Sequence, residues 1–317
     1  MVSQGSKKGK KILYGIIIAV FLLLLSNAFA TKIIYDAIFV RYDPPAESIK
    51  TQPKELADMY TEHTFPSGEN LLYGRLYSSG GDSLVVIAPG FRSSGEDYLW
   101  QIKSFLDFGR DVFIFDTTGS CHSEGESAVG FSQELFDLLS ALDFIESQSY
   151  SYDDIFLFGH SRGGWAVCCA LSQRDNISAA ASVNGINSAM ECVIAPVAGK
   201  IGPIAYTNYP FLWMYQSLIF DADTINLEAS EQINSSDVPV LVVQAENDKT
   251  VPAKSFSIMA HKDEIESERA EFLMCDPQCE NGHTALLFSE DGKANEPLME
   301  IINDFFTSAE NKTASVS

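Results

Sequence analysis

The chain has 317 residues, of which 46% are hydrophobic, so it can bury one large core. Its formal net charge is −22, and a surface this acidic repels phosphate backbones and anionic headgroups, which argues against nucleic acid as a partner and against polyanionic substrates. The sequence has no His, Cys and carboxylate cluster at metal-ligand spacing and no Gly-x-Gly-x-x-Gly or Walker-type loop, so we expect no metal and no cofactor.

The N-terminus is a basic flank, residues 1–11, followed by an uncharged stretch over residues 12–30. As a helix this stretch would span about 28 Å, close to the hydrocarbon thickness of a bilayer. One interpretation, which we favour, is an uncleaved transmembrane signal-anchor, because apolar residues resume at 33–39. The other is a signal peptide cleaved after Ala28-Phe29-Ala30, which would release a secreted protein. Because the basic flank stays in the cytoplasm, both place the remaining chain outside it.

After the apolar stretch, residues 31–59 are expected to form a juxtamembrane linker and residues 60–308 a single folded domain, with a flexible tail over 309–317. Within the domain, apolar runs typical of strands alternate with segments of helical periodicity. This alternation predicts an α/β fold with a doubly wound, mostly parallel central sheet. The alternation breaks at about residues 186–237, which predicts a helical cap insertion.

The strongest motif lies at residues 159–163, where Gly-His-Ser-Arg-Gly follows a buried strand and precedes an apolar helix. Ser161 would lie on a sharp strand-to-helix turn with its hydroxyl held away from the sheet. Glycines at 159 and 163 suit this turn, because a Cβ would clash where the backbone is crowded. A serine hydroxyl attacks only when a base removes its proton, so Ser161 needs partners further along the chain.

Candidates for those partners follow two later strands. Asp248 comes just after the apolar strand at 238–245, on the side where open α/β sheets build their sites, and Glu246 is a weaker alternative. His283 follows the strand at 270–275 and lies C-terminal to both the serine and the acid. It is therefore the expected base, with Asp248 orienting its ring. His122 remains open in an accessory role, since its loop follows another strand.

With these motifs, the chain resembles the α/β-hydrolase superfamily, and within it membrane-anchored bacterial serine hydrolases related to lysophospholipases and to prolyl-oligopeptidase-type peptidases. The resemblance implies that Ser161 is the nucleophile, His283 the general base and Asp248 its partner. It also implies an oxyanion hole formed by the backbone N–H groups of Phe91 and Arg162. The implied partner is a small-molecule acyl or ester substrate, and the implied product of attack is an acyl-enzyme.

Two departures from the family pattern concern loops near this site. Pro89-Gly90 stands where the family often has His-Gly before the first oxyanion donor. In the loop after the next strand, Thr118 replaces an arginine and Cys121 replaces a glycine of the family pattern. These changes affect the expected loop geometry and substrate preference. The loop with Thr118 and Cys121 is also the main support for an alternative in which the fold serves a non-catalytic binding protein.

The cap insertion is rich in aromatic residues, and Phe211, Trp213 and Tyr215 are candidates for an apolar substrate pocket. The same residues could instead pack the cap onto the domain. The bond cleaved is also open, since a serine peptidase acting on short peptides would use the same triad. Cys275 and Cys279 flank a short turn before His283, and a disulfide between them or two free thiols are both compatible with an extracytoplasmic domain.

Overall fold

The computed structural model describes residues 4–44, 53–56, 59–148 and 150–314. Its centre is an eight-stranded sheet with the order β1-β2-β4-β3-β5-β6-β7-β8. The first two strands run antiparallel to their neighbours, and β3 to β8 are parallel. The strands are β1 (Tyr60–Ser67), β2 (Asn70–Tyr77), β3 (Ser83–Ala88), β4 (Asp111–Phe115), β5 (Asp154–His160), β6 (Ala179–Val183), β7 (Val240–Ala245) and β8 (Ala270–Cys275).

Helices cover both faces of this sheet. The ten α-helices are α1 (Gln4–Ile38), α2 (Leu99–Asp107), α3 (Gln133–Ser147), α4 (Arg162–Ala170), α5 (Ala189–Ile201), α6 (Tyr209–Gln216), α7 (Ala222–Ile225), α8 (Ala229–Asn234), α9 (Gly282–Ala285) and α10 (Glu296–Ala314), counted over the described ranges. Two apolar clusters result, one including α3 and α4 and the other α2 and α10. The central strands are buried on both faces, which is why they read as continuous apolar runs in the sequence. This arrangement agrees with the α/β sheet expected from the sequence.

The segment between β6 and β7 contains four helices, α5 to α8, and a 3₁₀ helix at Pro203–Asn208. Ser188 caps the first of these helices by accepting a hydrogen bond from the backbone of Glu191. Helix α6 packs on α5 and also on α1. The region assigned to a cap insertion from the sequence is therefore helical, and it contacts the N-terminal helix.

Helix α1 is long and apolar enough, over Gly9–Ile38, to cross a membrane. It continues past Ala30, so residues 31–38, assigned from the sequence to the linker, belong to the helix. The chain after it is held to the domain, because Phe39 accepts a hydrogen bond from the backbone N–H of Ala128 and Arg41 donates to the carbonyls of Ser123 and Gly125. Parts of the proposed linker, at 45–52 and 57–58, and the chain termini, at 1–3 and 315–317, lie outside the described residues.

The C-terminal segment also differs from the flexible tail expected at 309–317. Helix α10 continues to Ala314, and Ala309 is buried with the apolar cluster that includes α2. The helix covers one face of the sheet with Met299, Ile302 and Phe306, all of them fully buried. Residue 309 therefore belongs to the domain core.

Candidate active site

Ser161 lies at the sharp turn between β5 and α4. Its backbone has φ +57° and ψ −116°, a conformation that a residue with a side chain rarely adopts. The turn depends on the glycines around it. A Cβ on Gly159 would lie 2.2 Å from the carbonyl oxygen of Gly163, and a Cβ on Gly163 would lie 2.0 Å from that of Ala88. The strained serine is thus held by backbone packed too tightly for any side chain at these two positions.

His283 and Asp248 complete a hydrogen-bonded chain with this serine. Nε2 of His283 lies 3.0 Å from Oγ of Ser161, and its Nδ1 lies 2.7 Å from Oδ2 of Asp248. Because an ionised carboxylate only accepts hydrogen bonds, Nδ1 carries the proton and Nε2 is free to accept from the serine hydroxyl. The three groups come from the carboxyl ends of three strands, β5, β7 and β8, which meet at one edge of the sheet.

Asp248 is fixed from its other side. Its Oδ1 accepts hydrogen bonds of 2.8 Å from the backbone N–H groups of Thr250 and Val251, and Gln244 donates to its Oδ2. The carboxylate is buried, with 4% of the residue exposed. Glu246, the weaker alternative, is exposed. Of the two acids considered from the sequence, the structure brings Asp248 to the histidine.

A second set of buried polar groups joins the loops around the serine. His160 contacts the carbonyl oxygen of His283 through Nε2 at 3.0 Å and the hydroxyl of Tyr98 through Nδ1 at 3.1 Å. Burial lowers the pKa of His160 to about 3, so the ring is neutral. Nε2 must then donate to the carbonyl, and Tyr98 donates to Nδ1 while accepting from the N–H of Gly90.

This hydrogen-bonded chain of Tyr98 and His160, here called the Tyr98–His160 relay, was not predicted from the sequence. Asn184 strengthens the same region, because its Nδ2 donates 2.6 Å to the carbonyl of His283 and its Oδ1 accepts 2.7 Å from the N–H of Ala245. The residue has φ +51°, which asparagine tolerates better than most residues. A buried Asn with positive φ after a central strand leaves no periodic signal in a sequence. These contacts hold the His283 turn at a fixed position relative to β5 and β7.

The two backbone donors expected for an oxyanion hole lie beside Ser161. Arg162 begins α4, and Phe91 follows Gly90, where an added Cβ would lie 3.1 Å from Nδ1 of His160 and 3.5 Å from Cβ of Ser161. Among the described residues, neither the N–H of Phe91 nor that of Arg162 has a hydrogen-bond partner. Both are therefore available to an oxygen atom bound above the serine.

The side chains of these two residues also meet. The guanidinium of Arg162 lies 5.5 Å from the centre of the Phe91 ring and 2.5 Å from a carboxylate oxygen of Glu134. Both members of this ion pair are almost completely buried. Burial raises the pKa of Glu134 to about 8, against the opposing effect of the nearby guanidinium. The pair links the Ser161 turn to α3, a connection that the sequence did not suggest.

The loop that departs from the family pattern is held by two buried carboxylates. Asp137 accepts hydrogen bonds from the N–H and the hydroxyl of Thr118, at 2.7 and 2.8 Å. Asp116 accepts from the N–H of Gly95 and contacts Nδ1 of His122 at 3.0 Å. His122 has a raised pKa from this contact, and its side chain is 61% exposed. The loop is thus ordered without the family's arginine, and His122 pairs with Asp116 and not with the groups around Ser161.

The three aromatic residues considered for a pocket lie on α6. Tyr215 donates a hydrogen bond to Asp36 of α1 at 2.6 Å, and its ring packs edge-on against Tyr35. Trp213 is 37% exposed and donates to Asn226, and Phe211 is half-buried. Tyr215 therefore joins the cap to the N-terminal helix.

Two further features bear on the chemistry of the site. Cys275 and Cys279 are both free thiols. Across residues 4–44, 53–56, 59–148 and 150–314, no three His, Cys, Asp or Glu side chains are grouped to hold a metal ion. The arrangement around Ser161 can deprotonate a hydroxyl and offer two N–H donors to a developing negative charge.

Comparison with protein families gives one match. A sequence model described as serine aminopeptidase, S33, matches residues 81–222, which include strands β3 to β6, the Ser161 turn and the beginning of the cap. No curated protein matches the sequence. The match is consistent with the resemblance drawn from the Ser161 motif.

Several solved structures are similar to this chain. An esterase of Pyrococcus furiosus aligns with a TM-score of 0.63 at 17% identity, over 84% of this chain and 98% of its own. Est1E from Butyrivibrio proteoclasticus, with ferulic acid bound, aligns with a TM-score of 0.57 at 15% identity, over 78% and 98%. An α/β-hydrolase from a Penicillium species gives 0.58 at 16%, over 80% and 99%. The chain therefore has the α/β-hydrolase fold.

Proposed function

We propose that this protein is a serine hydrolase that cleaves an ester or a related acyl bond through an acyl-enzyme on Ser161. The observation that carries the proposal is the hydrogen-bonded chain from Asp248 through His283 to Ser161, with contacts of 2.7 and 3.0 Å. The serine lies on a strained turn beside two unpaired backbone N–H groups. Each part that acyl transfer requires is thus present at one edge of the sheet.

In this mechanism, Nε2 of His283 takes the hydroxyl proton as Oγ of Ser161 attacks the substrate carbonyl carbon. Asp248 keeps the Nδ1–H tautomer and stabilises the imidazolium that forms. The N–H groups of Phe91 and Arg162 donate to the oxyanion, each contributing about 3–4 kcal/mol in comparable enzymes. The imidazolium then protonates the leaving group, the acyl-enzyme forms, and His283 activates a water that releases the acid and restores the serine.

Two observations support different substrate bonds, an ester in one case and a peptide in the other. Structures described as esterases align with this chain over most of their length, which supports an ester or related acyl compound. The family whose sequence model matches is described as a serine aminopeptidase, which supports a peptidase acting on short peptides as the second candidate. We place the ester first.

Fluorophosphonate labelling of the full chain tests the activated serine. We expect covalent labelling of the wild-type protein and none of a Ser161→Ala variant, while a Ser123→Ala variant serves as a matched control at another buried serine. An unlabelled wild-type protein with a native circular dichroism spectrum would favour a non-catalytic binding protein. Hydrolysis rates on p-nitrophenyl esters and aminoacyl anilides then separate the esterase from the peptidase.

We further propose that α1 anchors the protein and that the domain lies on the outer side of the membrane. The uncharged stretch at 12–30 follows lysines at 7, 8, 10 and 11, and basic residues are retained on the cytoplasmic side. N-terminal sequencing of the mature protein distinguishes the anchor from a secreted product cleaved after Ala30. Protease digestion of intact cells tests the side, since an outer domain is digested and a cytoplasmic one is protected.

A further inference from the structure

The cap carries an exposed apolar surface that the chemistry of the site does not use. Between residues 193 and 220 the only charged residue is Lys200, in a chain in which 20% of residues are charged. Large apolar side chains in this segment face solvent, Leu218 with 79% and Ile204 with 66% of their surface exposed. Exposed apolar side chains that are concentrated in one segment indicate an interaction site. We call the exposed apolar side chains of this segment the cap surface: Val197, Ile201, Ile204, Tyr206, Tyr209, Trp213, Met214, Leu218 and Ile219.

The segment that carries the cap surface packs against α1 immediately after its most apolar part. Thr31, Ile34 and Ile38 form one wall of an apolar groove, and Ile194 and Leu212 of the cap contribute to the other. These α1 residues follow the uncharged stretch at 12–30, which has the length of a bilayer core. The cap therefore lies beside the part of α1 that would emerge from the hydrocarbon core of the bilayer.

Polar contacts at the same level suit a membrane interface. Tyr215 joins the cap to Asp36 of α1, Asp36 pairs with Lys32, and the ammonium of Lys32 lies 5.5 Å from the centre of the Tyr215 ring. Tyrosine, tryptophan and lysine are typical of the headgroup region, because each combines apolar surface with a polar end. The composition of the cap surface fits this zone, with Tyr206 and Trp213 beside aliphatic side chains.

The connection between α1 and the domain is firm enough to fix their relative orientation. Tyr35 and Phe39 are buried in the main apolar cluster, with 2% and 1% of their surface exposed. Arg92 donates to the carbonyl of Ile38, and Val40 and Tyr42 pair with the 120–127 loop as isolated β-bridges. A domain held in this way cannot turn freely about a tether, so the side on which the cap lies stays next to the membrane.

From these observations we infer that the cap surface is a second membrane contact, which inserts into the boundary between the headgroups and acyl chains of the bilayer that α1 spans. The occupant of the cap surface is lipid, because the segment that carries this surface packs on α1, the helix proposed to span the bilayer. The domain then lies against the bilayer on its cap. This inference rests on the proposal that α1 anchors the protein in a bilayer, and it does not depend on Ser161 being an active nucleophile.

Fluorescence quenching of Trp213 tests the inference. The full chain is reconstituted in phosphatidylcholine vesicles whose acyl chains are brominated near the carbonyl end, and emission of the Trp213→Phe variant is subtracted to isolate Trp213 from the other two tryptophans. A ring at the headgroup boundary lies within contact distance of the bromines, so we expect loss of about half of the Trp213 emission relative to unbrominated vesicles.

Charged substitutions supply the second arm of the test. The double variant Ile204→Glu, Leu218→Glu should lose most of the quenching, while Ile301→Glu, at a residue 44% exposed on α10, should retain it. Near-ultraviolet circular dichroism checks that each variant is folded. Trp213 emission equal in brominated and unbrominated vesicles would overturn the inference. Quenching that appears only at a very low ratio of protein to lipid would also overturn the inference. It would show that the cap surface is covered by a second copy of the chain whenever copies can meet.

Discussion

Phe39 connects the N-terminal helix to the proposed oxyanion loop, and replacing it by alanine is the most informative perturbation that the structure offers. The residue follows directly on α1, yet only 1% of its surface is exposed. Its ring centre lies 5.3 Å from that of Phe91 and 5.0 Å from that of Phe131, both in edge-on geometry. Phe91 provides one of the two proposed oxyanion donors. Loss of the Phe39 ring therefore removes packing from the loop that holds this donor.

The magnitude follows from the burial and the ring contacts. A fully buried Phe→Ala change costs about 3–5 kcal/mol, and each aromatic pair contributes about 0.5–1.5 kcal/mol of this. The loss of global stability is limited, because the 39–43 segment can detach locally while the sheet and its helices stay folded. We expect a loss of about 2–3 kcal/mol, below the full value for a core position. Complete loss of an oxyanion donor costs about 3–4 kcal/mol, so a loosened loop should lower kcat by about tenfold, or 1.4 kcal/mol.

The assay combines urea unfolding with ester hydrolysis by vesicle-reconstituted protein. Phe39→Ala should lower both the unfolding midpoint and kcat, and Phe39→Leu should recover part of each. Ile33→Ala, at a residue of the same helix that is 52% exposed, should leave both unchanged. A Phe39→Ala protein that is less stable but has wild-type kcat would refute the reasoning, because it would show that Phe91 keeps its position without this neighbour.

Three further outcomes test the site and its supports. Asp248→Asn should lower kcat by about 10⁴-fold in ester hydrolysis, with little change in KM, because the histidine tautomer is lost. Burial raises the pKa of Glu134 from 4.5 to about 8. The stability that its bound proton contributes is therefore complete below pH 4.5 and is lost as the pH rises through 8. Urea unfolding between these pH values should show a falling free energy of unfolding, and Glu134→Gln should abolish this fall. Gly163→Ala should destabilise the fold by about 1–3 kcal/mol or more in the same assay, because its Cβ would lie 2.0 Å from a backbone oxygen. Gly199→Ala, whose Cβ would have no atom within 4 Å, should instead raise the free energy of unfolding by about 0.5–1 kcal/mol.

The sequence predicted the parts of the site that sheet topology determines. The three groups at 161, 248 and 283 each follow an apolar run, and parallel strands in a doubly wound sheet place their carboxyl ends at one edge. The hydrogen bonds among Ser161, His283 and Asp248 are the geometric consequence of that order. The alternation of strands and helices was equally readable, because strands buried on both faces leave continuous apolar runs.

The contacts that the sequence did not predict all join elements distant along the chain. Tyr215 was considered for a substrate pocket, yet it bonds to Asp36, which lies 179 residues earlier. The ion pair of Glu134 and Arg162 is invisible to periodicity, since a buried glutamate on an amphipathic helix looks like a solvent-facing one. The end of α1 was placed too early because the span was measured by the length of a bilayer, whereas the helix continues until Tyr35 and Phe39 reach the domain core.

The loop that contains Pro89-Gly90 is joined to the His283 turn by the Tyr98–His160 relay. The family often has a histidine before the first oxyanion donor, and here proline, which has no N–H to donate, stands in its place. The N–H of Gly90 donates to the hydroxyl of Tyr98, and this hydroxyl donates to the neutral ring of His160. The ring of His160 donates in turn to the carbonyl of His283. One buried relay thereby sets the loop of the first oxyanion donor and the turn of the proposed base relative to each other. Since each polar group along it has a hydrogen-bond partner, it holds the Gly90 loop and the His283 turn together.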